Sequence, residues 1–411
     1  MKSIGLLLLG LAGAAAATAG VATLPGVYRA PYVPPLIEKP DGTNDDGSFD
    51  GLVQLAAAAP PGSVVRVFWV HGMCTHPSSW AEDRASRLAA MIGGTRQSLG
   101  ARPIGPHGAS IRVERIDKGG VALELVFFSW SPLTASFKAA LAFDRSRDQG
   151  GEFPYVRATL NGALKRGLVN DCLTDVIVYN GVNGNEIRRA MTEAMCFALG
   201  GRGDGRNCDI TAGDSPPPVA LVAESLGAKL VLDSLIEIGR IIDRRGDRVA
   251  MARLAQGLSE IKMVYLISNQ VPLLDSAGSP REAPSWTAHA TMGRSLEDLF
   301  RLMNQAHPLV QPGPAPVTVV AFSDPNDLLS YRIVPAHLGD AAEYLRVVNV
   351  ILSNDPTYFG FVERPDAAHC GYAWNPYVFV LLGDGYRAGR PLPPVPSWTG
   401  ACRGPAGLDA P

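Results

Sequence analysis

Short apolar runs alternate with longer amphipathic ones along most of the chain. The segments "SVVRVFWV" (63–70), "VALELVFFSW" (121–130), "PVALVA" (218–223), "IKMVYLIS" (261–268), "PVTVVAFS" (316–323) and "YLRVVNVILS" (344–353) are strand-length and rich in β-branched and aromatic residues. Between them, "SWAEDRASRLAAMI" (79–92), the stretch from Ser225 to about Gly239 and "SLEDLFRLMN" (295–304) repeat apolar residues at helical spacing, and "NPYVFVLL" (375–382) begins a terminal helix. Strands that are apolar on both faces are covered on both faces. The pattern predicts an α/β fold, with a mostly parallel central sheet and helices on both sides.

The gap between the strands at 121–130 and 218–223 is too long for a simple connection, and a structureless one would be unusual. It holds helical pieces, "ASFKAALAFDRS" and "GNEIRRAMTEAMCFAL", and reads as a helical insertion or lid over about 131–215. Arg202-Gly203-Asp204 within it reads as a turn. Residues 20–62 are Pro-rich, then acidic and Gly-rich, and read as leader and surface coil. An EF-hand register with Gly47 at the sixth position puts Gly42 first and Val53 twelfth, where calcium needs acids, so the loop does not fit that ion. The principal domain spans 63–390, followed by a tail over 391–411.

Composition narrows the classes. The chain has 411 residues, 46% of them hydrophobic and 18% charged, enough for a substantial core. A formal charge of −2 gives no footprint for nucleic acid. "MKSIGLLLLGLAGAAAATAG" has an early Lys, an apolar stretch and Ala17-Thr18-Ala19, the layout of a signal peptide over 1–19. A secreted, periplasmic or otherwise extracytoplasmic protein is therefore expected, with membrane contact only through that signal or an uncleaved anchor. The six cysteines suit disulfides in such a compartment. Cys370 with Cys402 is one expected bridge, and Cys172, Cys196 and Cys208 lie near enough in sequence to supply another. No C-x-x-C pair and no Gly-rich phosphate or dinucleotide loop is present, so no cofactor is expected.

The candidate chemistry centres on "PPPVALVAESLGAKLVLDSL" (216–235), where an apolar strand turns abruptly into a helix at Ser225. By itself the stretch fits a catalytic nucleophile and a helix N-cap equally. Three features, "VHGMCTHPSSW" after an early strand, "AESLG" between strand and helix, and the order Ser, Asp, His, resemble the α/β-hydrolase superfamily over roughly residues 63–390. Ala223 stands where that family usually has Gly, a departure that keeps the residue small. The resemblance implies Ser225 as nucleophile and the backbone N–H groups of Met73 and Leu226 as the oxyanion hole, with Cys74 a near alternative to Met73. His71 would support that loop rather than move protons. The acid falls in "VVAFSDPNDLLSYRI", as Asp327 with Asp324 the alternative and Asp275 a distant third. The base is His369, with His337 the competitor. His71, Cys74 and His76 also invite a metal, but they sit too close together on a loop that already has another explanation, and no metal is expected.

The resemblance implies an exported serine hydrolase that cleaves carboxylic esters, small-molecule or lipid, through an acyl-enzyme. Thioesterase, amidase, peptidase and acyltransferase activities use the same constellation, and a non-catalytic binding protein on this fold is the remaining alternative.

Overall fold

The computed structural model describes residues 28–29, 34–38, 45–144, 156–203, 208–213, 215–275, 302, 316–334, 338, 345–358 and 363–395. The expected signal peptide, the helix at 295–304 except for Leu302, His337, the side chain of Cys208, Cys402 and most of the tail lie outside them.

Nine strands form one sheet. In chain order they are β1 (Leu36–Glu38), β2 (Val65–Val70), β3 (Thr95–Ile104), β4 (Ala109–Lys118), β5 (Val121–Ser129), β6 (Val219–Glu224), β7 (Ile261–Ile267), β8 (Val317–Ser323) and β9 (Leu345–Ile351). Across the sheet they run β1-β9-β8-β7-β6-β2-β5-β4-β3. The centre, from β9 to β5, is parallel, whereas β1 on β9, β4 on β5 and β3 on β4 are antiparallel. The sheet is therefore mixed rather than uniformly parallel.

The helices are α1 (Leu52–Ala58), α2 (Trp80–Ile92), α3 (Ala135–Leu141), α4 (Thr159–Leu164), α5 (Thr174–Asn180), α6 (Gly184–Ala198), α7 (Gly227–Arg245), α8 (Arg248–Ser259), α9 (Val271–Asp275), α10 (Pro365–Cys370) and α11 (Pro376–Asp384), with a π-helical run, Lys165–Leu173, joining α4 to α5. Period-2 alternation sorts the strand side chains between two cores. Phe68 and Val70 of β2, with Leu221 and Ala223 of β6, pack under α6, α7 and α8. Val67, Trp69, Ala220 and Val222 face the other way, under α1, α2 and α11. Both faces of the sheet are thus covered.

Two stretches differ from the sequence reading. Residues 95–118 form the β3–β4 hairpin, although every β3 residue but Ile104 is exposed and no apolar alternation marks the strand. An edge strand carrying Arg, Gly and Pro is guarded against pairing with other chains. The segment read as surface coil before residue 63 contains β1 and α1, and Phe49 and Leu52 enter the second core. Among the described residues of the region about 131–215 are α3 to α6, of which α6 packs along α7, and a short antiparallel pairing of Arg202–Gly203 with Cys208–Asp209. No helix among the described residues is long and apolar enough to cross a membrane.

Candidate active site

The carboxyl ends of the parallel strands carry the residues of interest, the usual place for a site in such a sheet. Strand β6 passes into α7 with almost no intervening chain. Ser225 takes that turn at a φ of 53°, a left-handed conformation that a non-glycine residue adopts at a cost of about 1–3 kcal/mol. The turn is possible because its neighbours are small. A Cβ on Gly227 would lie 2.8 Å from the His71 carbonyl oxygen, and one on Gly72 would lie 2.6 Å from the Ser225 Cβ. Ala223 is fully buried and fits the same crowding. The Ser225 N–H donates to the Ile267 carbonyl at 2.8 Å, which ties the turn to β7.

The N-cap of α7 is Leu226, and the Ser225 hydroxyl makes no capping bond. It lies instead 3.2 Å from His369 Nε2. His369 Nδ1 is 2.9 Å from Asp327 Oδ1, so the structure brings Ser225, His369 and Asp327 into one chain of contacts. His369 sits in the last turn of the short α10 rather than in a loop. Burial pushes the Asp327 carboxyl up, but His369, the Leu329 N–H and the Ser268 hydroxyl together hold it below the usual carboxylate range.

Asp324 and Asp275 are placed elsewhere. Asp324 accepts from the backbone N–H groups of Asn326, at 2.9 Å, and Asn354, at 2.6 Å, and so joins the loop after β8 to the one after β9. Burial pushes it up to about 6. Asp275 ends α9, with Lys229 Nζ 3.8 Å away. A cavity of about 340 Å³ runs along α7 past Lys229, Asp233 and Arg240, and none of the three contacting residues lines it.

Sequence reading missed three supporting residues. Ser268, at the end of β7, also has a φ of 53°. Its hydroxyl donates to Asp327 Oδ2 at 2.8 Å and lies 3.1 Å from His369 Nδ1. Asn354 donates to the Ala368 carbonyl at 2.8 Å, next to His369, and accepts from Asn375 Nδ2 at 3.0 Å. Glu224, immediately before the serine, accepts from Arg84 Nε at 2.8 Å and Nη2 at 3.2 Å and from Trp69 Nε1 at 2.9 Å. A serine closing an apolar strand and a glutamate inside a turn are ordinary, so only the positive φ and the buried pairing mark them out.

The loop after β2 lies against the serine. His71 is fully buried, and burial holds it well below its ordinary value. Its Nδ1 donates to the Gly72 carbonyl at 2.8 Å, and its Nε2 accepts from the Trp130 N–H at 3.1 Å and the Ser131 N–H at 3.3 Å. Both nitrogens are thus engaged in bracing the loop. Burial also lowers His76, to about 4. Cys74 is disulfide-bonded to Cys172, not left for a bridge within the 172–208 region. The Cys74 N–H donates to Asp175 Oδ2 at 2.7 Å, while Thr75 donates its N–H and its hydroxyl to Asp171, the latter at 2.6 Å. Lys138 Nζ bridges the two carboxylates, 3.1 Å from Asp171 and 3.0 Å from Asp175. Cys74 is thereby committed to Asp175, whereas the N–H groups of Met73 and Leu226 meet no hydrogen-bond acceptor among the described residues. Cys196 and Cys370, the latter adjacent to His369, are also disulfide-bonded.

No family model matches the chain, and no match was found among curated proteins or solved structures.

Three outcomes follow from this geometry. Ser268→Ala removes a hydrogen bond to a buried carboxylate and is expected to destabilise the fold by about 1.5–3 kcal/mol, read by urea denaturation. Replacing both Cys74 and Cys172 by Ser opens a link spanning 98 residues. That is expected to destabilise the fold by about 2–5 kcal/mol, read by urea denaturation. Glu363 accepts from Asn326 Nδ2, and burial, with Asp324 and Asp355 alongside, pushes its carboxyl up to about 8. The folded chain then keeps a proton that the unfolded chain releases near the ordinary glutamate value of about 4.3. Stability from this group is fullest below that value and falls as pH rises through the window up to about 8. Glu363→Gln is expected to flatten Tm against pH across that window.

Proposed function

We propose that the chain is a serine hydrolase of carboxylic esters, on an α/β-hydrolase fold, working outside the cytoplasm. The observation that carries the reading is the contact series from Ser225 Oγ through His369 to Asp327, with the serine on a strained turn at the mouth of a helix.

With the His369 proton on Nδ1, held by Asp327, Nε2 is an acceptor for the serine hydroxyl. The Ser225 oxygen attacks the ester carbonyl carbon as its proton passes to Nε2. The carbonyl electrons move to oxygen, and the Met73 and Leu226 N–H groups donate to the resulting oxyanion. The α7 N-terminus adds a favourable dipole. Collapse of this intermediate expels the alkoxide, which takes the proton from His369. Water then repeats the sequence on the acyl-enzyme and returns the serine and the acid. Thioester and amide substrates would follow the same steps, and the ester assignment rests on the resemblance. The exported location rests on the N-terminal sequence and is consistent with the Cys74–Cys172 disulfide.

Ser225→Ala is expected to lower kcat/KM on a water-soluble ester by about 10⁴–10⁶-fold and to abolish labelling by a serine-directed phosphonate. Full hydrolysis by the purified, folded variant would sink the assignment. Matched ester, thioester and amide substrates given to the wild type separate the acyl-transfer activities.

A further inference from the structure

The helical run from α4 through the π-helical turn to α5 is inside out. Its inward side carries Asp171, Cys172, Thr174 and Asp175, all buried, and Asp171, Cys172 and Asp175 hold the loop after β2. Its outward side carries Leu164, Leu168, Val169 and Ile177, the last 70% exposed, with Leu173 half-buried between them. The spacing of four to five residues keeps these on one stripe, because the π-helical turn takes more residues than an α-turn. Val182, 84% exposed, follows just past the helix end. A surface helix ordinarily shows the opposite arrangement.

The stripe belongs to a larger bias. Of the fourteen exposed large apolar side chains among the described residues, eight lie between Leu141 and Val182. Three more, Leu273, Leu328 and Tyr331, follow β7 and β8 at the edge of the sheet that carries Ser225.

We propose that this stripe is a docking surface for an anionic lipid layer. The charges beside it fit that partner. Within residues 156–182 the two acids, Asp171 and Asp175, are both turned inward, whereas Arg157, Lys165 and Arg166 remain on the outer side, where Arg157 and Lys165 both pair with Asp144. A helix with aliphatic residues on one face and basic residues at its flank lies in a lipid–water boundary, drawn by apolar burial and by anionic headgroups together. A second copy of the chain fits less well. A stable protein interface takes about 20–30 residues a side, and this is one face of one helical run.

The full-length Ser225→Ala chain, incubated with phosphatidylcholine vesicles with and without phosphatidylglycerol, tests the proposal by co-sedimentation without hydrolysis. Binding to the phosphatidylglycerol vesicles is expected, falling at least about tenfold when Leu168 and Ile177 are both changed to Asp. Arg166→Glu is expected to weaken binding to the anionic vesicles without affecting stability. In the Ser225 background, the Leu168 and Ile177 changes should leave turnover of a water-soluble ester within about twofold. Undiminished vesicle binding in the Asp variant overturns the proposal, as does no binding to phosphatidylglycerol vesicles. A concentration-dependent dimer that the same Asp changes dissolve also overturns it, by assigning the stripe to a second copy. Vesicle binding does not depend on catalysis, so it stands or falls apart from the hydrolase reading.

Discussion

The reversal at Glu224-Ser225-Leu226-Gly227 constrains everything around it. A buried central strand enters a long helix there without a loop, and the backbone achieves this only with Ser225 in the left-handed region. Such a conformation persists when the surroundings over-determine it. Here the Ser225 N–H is held by β7, the Glu224 carboxylate by Arg84 of α2 and Trp69 of β2, and the chain behind it by the close approach of Gly227 to the carbonyl oxygens of Val70 and His71. Burial alone would raise Glu224, yet the Arg84 guanidinium, with His76 and Trp69, brings it below its usual range. A buried carboxylate is tolerable only when paired and hydrogen-bonded in this way. The strain at the serine is therefore offset by contacts from three separate elements.

Asp327 and His369 obey a similar logic. Asp327 lies in the loop after β8 and His369 in α10, so their mutual distance depends on how these two segments are joined. Asp324 spans from the β8 loop to Asn354, and Asn354 reaches the carbonyl before His369. Gly371 has no Cβ, which would otherwise come within 2.4 Å of the Asn354 side chain. Asp324 is thus the tie between the two loops, and Asp327 is the carboxylate in contact with His369.

Much of this was legible. The six apolar runs became strands because each is buried on both faces, a condition that composition records directly. Ser225, Asp327 and His369 were legible from their order and their place after strands. The β3–β4 hairpin was not, because an exposed edge strand needs no apolar pattern. Ser268 was not either, since its role lies in a backbone angle and a hydrogen bond that residue type alone does not encode. The partner of Cys172 was hidden for a related reason: it sits 98 residues away, where spacing along the chain gives no sign of it.

The inverted helix of the insertion follows from the same sheet edge. In the loop after β2, the N–H groups of Cys74 and Thr75 find their acceptors on the insertion. An apolar inner face there would have supplied none. Asp175 and Asp171 supply the acceptors, Lys138 bridges the two carboxylates, and the Cys74–Cys172 bond fixes the register between loop and helix. With its polar residues spent inward, the helix has aliphatic ones left for its outer side. The Cys74 N–H is taken by Asp175, whereas the Met73 N–H meets no acceptor among the described residues.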